Sequence, residues 1–220
     1  MSRTFCFTTF QSTIFAPNLL MKKAIVIIFT IVAVSINGQS NIEKAFSKSY
    51  AFEYNIEYSK AINALVELYT DSYPIDFRLG WLYYLNKDYI KSEQFYKKAI
   101  AREPSSIEAR FGLVLPMSAL GDWSNVLNVY LEILKIDPNN SVANYRTALI
   151  YFNRKDYINS AKYLTKVIKL YPFDYDSNLL YAKIKLAENK SNEAAPYLEK
   201  AIQYNPQSEE AIALLKNIKR

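Results

Sequence analysis

Apolar residues return along this chain at steps of three and four, in paired blocks, and the paired blocks themselves return every 34 residues. Leu79, Gly80 and Tyr83 fall on one face of a first helix, and Ser92, Phe95, Tyr96, Ala99 and Ile100 on one face of a second. The step repeats in Tyr89, Trp123 and Tyr157, in Tyr96, Tyr130, Leu164 and Leu198, in Ala99, Ile133, Val167 and Ala201, and in Ile100, Leu134, Ile168 and Ile202. Short polar turns, Lys87-Asp88, Gly121-Asp122, Lys155-Asp156 and Asn189-Lys190, divide each pair on the same period. Pro104, Pro138, Pro172 and Pro206 follow the second blocks, where a fixed φ and a missing N–H end a helix. Each unit is therefore predicted to be a helical hairpin, apolar on more than one face, that buries itself only by stacking on its neighbours. Small residues at Gly80, Ala148, Ala182, Ala99 and Ala201 let paired helices approach, while Tyr83, Tyr151, Tyr96 and Tyr130 fill the space between them.

At these residues the chain resembles the tetratricopeptide repeat family. Leu79, Gly80, Tyr83, Lys87-Asp88-Tyr89, Tyr96, Ala99 and Pro104 carry the resemblance in the first clear unit, and Gly121-Asp122-Trp123 with Ile136-Asp137-Pro138-Asn139-Asn140 carry it in the second. The resemblance implies an all-α fold, a right-handed superhelical solenoid of helix-turn-helix repeats. Four units are expected over 73–208, with breaks after 106, 140 and 174. A degenerate helical repeat over 39–72 precedes them, marked by Tyr58, Ala61, Leu65 and Leu68, and a C-terminal capping helix over 209–220 closes the stack. Thr147 stands where leucine is expected and Lys185 where an aromatic is expected, which predicts looser packing toward the C-terminus. Pro116 falls inside a first helix, where it costs on the order of 3 kcal/mol unless the helix kinks. Pro196 falls near the start of its helix, where few N–H groups are committed.

Half the 220 residues are hydrophobic and only four are glycine, which suits long helices with tight turns and excludes Gly-rich phosphate loops. The net charge of +6 weakens as a sign of nucleic-acid binding once it is located: Arg3, Lys22 and Lys23 lie in an N-terminal stretch without acids, and beyond residue 38 the balance is 24 basic against 21 acidic residues. That stretch reads as an export signal. Lys22 and Lys23 precede a 13-residue apolar run from Ala24 to Ile36, followed by Asn37, Gly38, Gln39 and Ser40. Residues 1–38 are thus expected to be an N-terminal extension and signal peptide, with Met21 the start and cleavage after Gly38, and the product exported to the periplasm or cell envelope. The alternative is a membrane anchor through residues 24–36, although a spanning helix needs about 20 apolar residues. Cys6, the single cysteine, would be lost on cleavage.

The chain has no histidine, no G-x-S-x-G elbow and no Ser-x-x-Lys, so an enzyme would have carboxylates alone, and no catalytic residue, metal or cofactor is expected. Asp174-Tyr175-Asp176 has the start of a calcium loop but lacks its glycine and closing glutamate, and reads better as a helix N-cap. The lysines of the second helices alternate with acids and read as solvated faces. What is left is a surface. In the family the first helices line the concave side, and the inward positions here are Phe77, Phe111, Tyr145 and Leu179, then Trp81, Leu115, Leu149 and Lys183, then Tyr84, Ser118, Phe152 and Leu186, with Arg78 and Arg146 beside them. The expected partner-binding groove is Phe77, Arg78, Trp81, Tyr84, Phe111, Leu115, Tyr145, Arg146, Leu149 and Phe152, its rings facing outward. These would take an apolar helix or extended peptide of a partner protein, with neither nucleic acid nor stable membrane insertion after cleavage. Some members of the family bind acidic chaperone C-termini through lysines and asparagines on the first helices, and Phe77 and Trp81 stand where the first of those polar residues would be, which disfavours that ligand. A self-assembling structural protein of the envelope is the alternative from another class, ahead of a small-ligand-binding protein or a carboxylate-dependent enzyme.

Overall fold

The computed structural model describes residues 41–218, which form helices and, among the described residues, no strand. The expected signal, Met21 and Cys6 lie outside the described residues, as do Lys219 and Arg220 of the closing helix. In chain order the helices are α1 (41–54), α2 (Tyr58–Val66), α3 (Tyr73–Leu85), α4 (Tyr89–Arg102), α5 (Ile107–Ala119), α6 (Trp123–Ile136), α7 (Ser141–Asn153), α8 (Tyr157–Leu170), α9 (Tyr175–Ala187), α10 (Ser191–Tyr204) and α11 (Glu209–Ile218). From α3 onward the first helices begin at 73, 107, 141 and 175 and run 13 residues, and the second begin at 89, 123, 157 and 191 and run 14. Each helix packs on the next, and α3 also touches α5 as α7 touches α9, so the chain is a solenoid of hairpins in contact mainly with their neighbours.

The local chemistry that sets this period is repeated as well. Asp88, Asp122 and Asp156 cap the second helices α4, α6 and α8, each accepting from the backbone N–H three residues on. Ser106, Asn140 and Asp174 do the same for the first helices α5, α7 and α9, so Asp174 is a cap as its sequence context implied. Lys190, in the same register as the three aspartates, makes no side-chain cap bond. Between the helices of each hairpin one residue enters the left-handed region: Lys87, Gly121, Lys155 and Asn189, 34 apart, and Ile56 before them. The next N–H then reaches back five residues, Asp88 to Tyr83, Asp122 to Met117, Asp156 to Tyr151, Lys190 to Lys185 and Glu57 to Phe52, all at 2.8–2.9 Å. This bond places Ile56 in register with Gly121, and hence Glu53 in register with Tyr84, Ser118 and Phe152.

Ile56 is β-branched, sits at φ 63° and is 71% exposed, so it combines a steric cost of about 1–2 kcal/mol with little burial to offset it. Ile56→Gly is expected to raise stability by up to about 1 kcal/mol, since the extra chain entropy of glycine takes back part of the gain. A urea midpoint unchanged or lowered by the substitution would contradict this.

Buried polar groups tie each first helix to the turn before it. Asn144 Nδ2 donates to the carbonyls of Pro138 and Asn140, and Asn178 Nδ2 does the same to Pro172 and Asp174. In the same column Arg110 donates to the Ser106 carbonyl, and Asp76, with no exposed surface, accepts from Tyr69 and Arg102. Ser92 and Ser160 each donate to a carbonyl twelve residues back, closing α3 on α4 and α7 on α8. The apolar interior runs as successive clusters. One around Leu65, Leu79 and Leu82 joins α1 to α3, another around Tyr96, Leu113, Val126 and Ile133 spans α4 to α7, and two more continue to α11.

The departures are absorbed with little disturbance. Helix α5 runs unbroken through the buried Pro116. The expected loosening at Lys185 is not what the fourth unit shows. Tyr83 stacks on Phe95 and Tyr151 on Tyr163 in earlier units, whereas here Tyr181 packs on Tyr197 at 4.5 Å, and Lys185 pairs with Glu193 at 3.0 Å with its ammonium 5.4 Å from the Tyr181 ring. The cluster of Leu179, Ala182, Ala194, Leu198, Ala201 and Ala211 stays buried around it. Thr147 is fully buried with its hydroxyl unpartnered, so leucine's place there is filled by volume at the cost of one polar group.

Candidate functional site

The ten residues expected to form the groove lie on the first helices α3, α5 and α7, but their rings do not stand free. Phe77, Trp81, Tyr84, Phe111, Tyr145 and Phe152 are all half-buried. Phe77 stacks on Tyr73 and meets Tyr96 edge-on, Phe111 meets Tyr130, and Tyr84 and Phe152 lean on Tyr89 and Tyr157, the first residues of the following helices. Rings at these positions therefore do two things, closing the hairpins with one side and lining the surface with the other. The expectation that they face outward is corrected to that extent.

Arg78 and Trp81 are committed within the chain. Arg78 is 6% exposed, ion-paired with Glu53 of α1, and its guanidinium lies 3.8 Å from the Tyr50 ring. Trp81 donates its indole N–H to the same Glu53 at 2.7 Å. One carboxylate from the preceding inner helix thus engages both residues, expected from the sequence to face a partner, although Nε and Nη2 of Arg78 make no hydrogen bond. A hollow of about 570 Å³ remains beside them, lined by Tyr50, Tyr54, Tyr58 and Leu85.

The equivalent position two units on is different. An opening of about 680 Å³ lies between α5 and α7, with Val114, Leu115, Leu149, Ile150, Trp123 and Tyr130 as its apolar lining and Ser118, Arg146, Asn153 and Arg154 as its polar groups. Its size and its few polar groups among apolar ones are those of a ligand or side-chain pocket. Arg146 is exposed and lies 6.0 Å from the ring of its neighbour Tyr145, and among the described residues no carboxylate pairs with it. Arg154 reaches the Trp123 carbonyl and the Ser124 hydroxyl only at 3.4 Å. Burial raises the pKa of Tyr130, with Arg146 opposing. Tyr145 is raised by burial first and then by Asp176, again against Arg146, so the positive field of this arginine reaches both rings. On its other side Arg146 borders a smaller hollow of about 360 Å³ that includes Tyr145, Tyr171, Asp174 and Asp176.

Of the sequence-derived residues, the structure thus brings Leu115, Arg146 and Leu149 together at one opening, with Phe111, Tyr145 and Phe152 on the same two inner helices. It places Phe77, Arg78, Trp81 and Tyr84 in the first unit. Trp123, 53% exposed, and Arg154 were not among the expected site residues. Trp123 fits the repeat signature set by Tyr89 and Tyr157, and its bulk at a helix start that carries tyrosine in the first and third units was the available signal. No cluster of three or more histidine, cysteine, aspartate or glutamate side chains suited to a metal ion occurs among the described residues. No helix among them is long and apolar enough to cross a membrane.

Comparison with known proteins agrees with this geometry. One tetratricopeptide repeat model matches residues 77–106 and 175–208, and a second model of the same repeat matches 142–174. No curated protein matches the chain. Among solved structures, a tetratricopeptide repeat protein from Parabacteroides merdae is 17% identical, with a TM-score of 0.70 over 81% of this chain and 72% of that one. The MamA protein is 14% identical, with a TM-score of 0.66 over 77% of this chain and 94% of that one. MamA from Desulfovibrio magneticus, residues 41 to the end, is 13% identical at a TM-score of 0.65, over 77% and 97%. At such identities the likeness speaks for the fold, and the repeat models speak for the kind of repeat. Over residues 77–106, 142–174 and 175–208 the chain is built of tetratricopeptide repeats.

Proposed function

We propose that this repeat scaffold is exported and binds a partner protein through its concave face, taking an apolar helix or extended peptide into the opening between α5 and α7. The observation that carries the reading is the opening itself: about 680 Å³, mostly apolar in lining, with an exposed tryptophan and an arginine that has no carboxylate partner among the described residues. A helical repeat without histidine, and with no metal-binding cluster among its described residues, offers contact surface in place of reaction chemistry. Export rests on the basic, apolar and small-residue order of residues 22–40. Leu115, Leu149 and Trp123 supply apolar area, and Phe111, Tyr145 and Phe152 extend it along the inner helices.

Trp123 is the residue on which to test this, since Trp81 is held by Glu53 and its loss would disturb the fold. Trp123→Ala is expected to weaken partner binding by about 1–3 kcal/mol, the range for an aromatic anchor, with helical content and urea midpoint nearly unchanged. The measurement is cross-linking and pull-down from the native envelope fraction with wild type and variant in parallel, with the N-terminus of the recovered protein read by mass and expected near Gln39. A partner recovered equally by both chains, or a protein that keeps residues 1–20, would refute the groove or the export, respectively.

A further inference from the structure

The junction between α1 and α3 holds, inside the chain, the kind of contact that the opening between α5 and α7 lacks. The back-reaching turn bonds fix the register: Glu57 N–H to Phe52 corresponds to Asp122 N–H to Met117, so Glu53 and Ser118 occupy the same position on inner helices two units apart. Two units separate Arg78 from Arg146 and Trp81 from Leu149, 68 residues in each case. At the first junction Glu53 pairs with Arg78 and accepts the Trp81 N–H. At the second, serine replaces the glutamate. Arg146 keeps the position of Arg78 yet forms no ion pair among the described residues, Asp174 and Asp176 lying across the hollow on its other side, and Arg154 adds a second cation at the same opening. The other inner junctions put no cation there, with Gly112 and Leu180 in the arginine position.

We infer that the opening between α5 and α7 is a receptor for one acidic side chain on a helix of a partner protein, whose carboxylate takes on Arg146 the place that Glu53 takes on Arg78. An adjacent apolar or aromatic residue of that helix lies against Leu115, Leu149 and Trp123, as Tyr50 and Glu53 come together from one helix on Arg78. The inference rests on the proposed groove and narrows its partner to a helix bearing a glutamate or aspartate beside an apolar residue.

The probe is a fluorescein-labelled peptide of this chain's own residues 41–57, acetylated and amidated, titrated into the full chain and followed by anisotropy. Wild type is expected to bind it, and the peptide carrying Glu53→Gln is expected to bind at least tenfold more weakly. In the protein, Arg146→Gln should cause a similar loss. Ser118→Glu, which supplies the missing acid internally, should also lose at least tenfold while thermal stability holds or rises, and Ser118→Gln, of equal size and no charge, should stay within about threefold of wild type. Equal binding of the Glu53→Gln peptide, equal loss in both Ser118 variants, or no binding of the peptide at all overturns the inference. Tighter binding of an unamidated peptide ending at Phe52 also overturns it, in favour of a C-terminal carboxylate. Trp123→Ala separates the two readings: if it releases the peptide while the acid and Arg146 prove indifferent, the groove stands and the carboxylate receptor falls. If Trp123→Ala has no effect while Arg146→Gln does, the apolar groove falls instead.

Discussion

Tyr96→Ala is expected to destabilise the chain by about 3–5 kcal/mol, a large share of the total stability of a domain this size. The ring is 1% exposed and lies where α3, α4 and α5 meet, with Phe77 edge-on at 5.6 Å. A Cβ added at Gly80 would lie 2.9 Å from it, and one added at Gly112 only 2.1 Å, so this ring fills the gap between the two inner helices at both glycines. Removing it leaves a void between three helices joined to one another by bonded turns, and such a site collapses poorly. Its burial also pushes the phenol pKa upward. Urea denaturation checks the magnitude, and a loss below about 1 kcal/mol would mean that α3 and α5 close over the gap. Trp123→Ala, by contrast, is expected to leave the midpoint in place, because that ring is largely in solvent.

Gly112→Ala is expected to destabilise by about 1–3 kcal/mol, although alanine favours a helix over glycine by roughly 0.5–1 kcal/mol. The new methyl would sit 2.1 Å from Cε1 and 2.6 Å from Cζ of Tyr96, and the ring cannot retreat because Gly80 backs it on the other side. The double variant with Tyr96→Ala should cost less than the sum of the two single changes, by about 0.5–3 kcal/mol, since the methyl then enters space the ring has left. Strict additivity in denaturant melts would show that the glycine answers to something other than this ring.

The period, the hairpins and the turns were legible because each rests on local chemistry: prolines after the second helices, aspartates at 88, 122 and 156, and apolar residues at three-and-four spacing. Gly80 and Tyr96 were read as a small residue and a filler between helices, and that is their relation here. Gly112 was missed as the second half of the same device, since it falls in the column of Arg78 and Arg146, where no periodic rule asks for a small residue. The groove was legible only as rows. Which member of a row is free depends on the neighbouring unit: Arg78 is engaged because Glu53 lies beside it and Arg146 is not because Ser118 does. The degenerate first unit, whose offset hid the register of Glu53, was where that information lay. Trp123 was hidden differently, by fitting the repeat pattern too well.

Helix α5 carries a glycine and a proline in its 13 residues, costing about 1 and about 3 kcal/mol against alanine in a free helix, yet seven of its residues are buried. Pro116 leaves the Gly112 carbonyl without its intrahelical donor, and Gly112 gives up its own side chain to the Tyr96 ring, so both departures serve or burden the neighbours and neither helps α5 itself. In a linear array, stability divides between what a unit holds alone and what its interfaces hold. The unit of α5 and α6 is weighted far toward the second. The two ends of the stack therefore communicate through a unit that leans on its interfaces, and the solenoid is less a string of independent modules than two flanks joined through a shared cooperative middle.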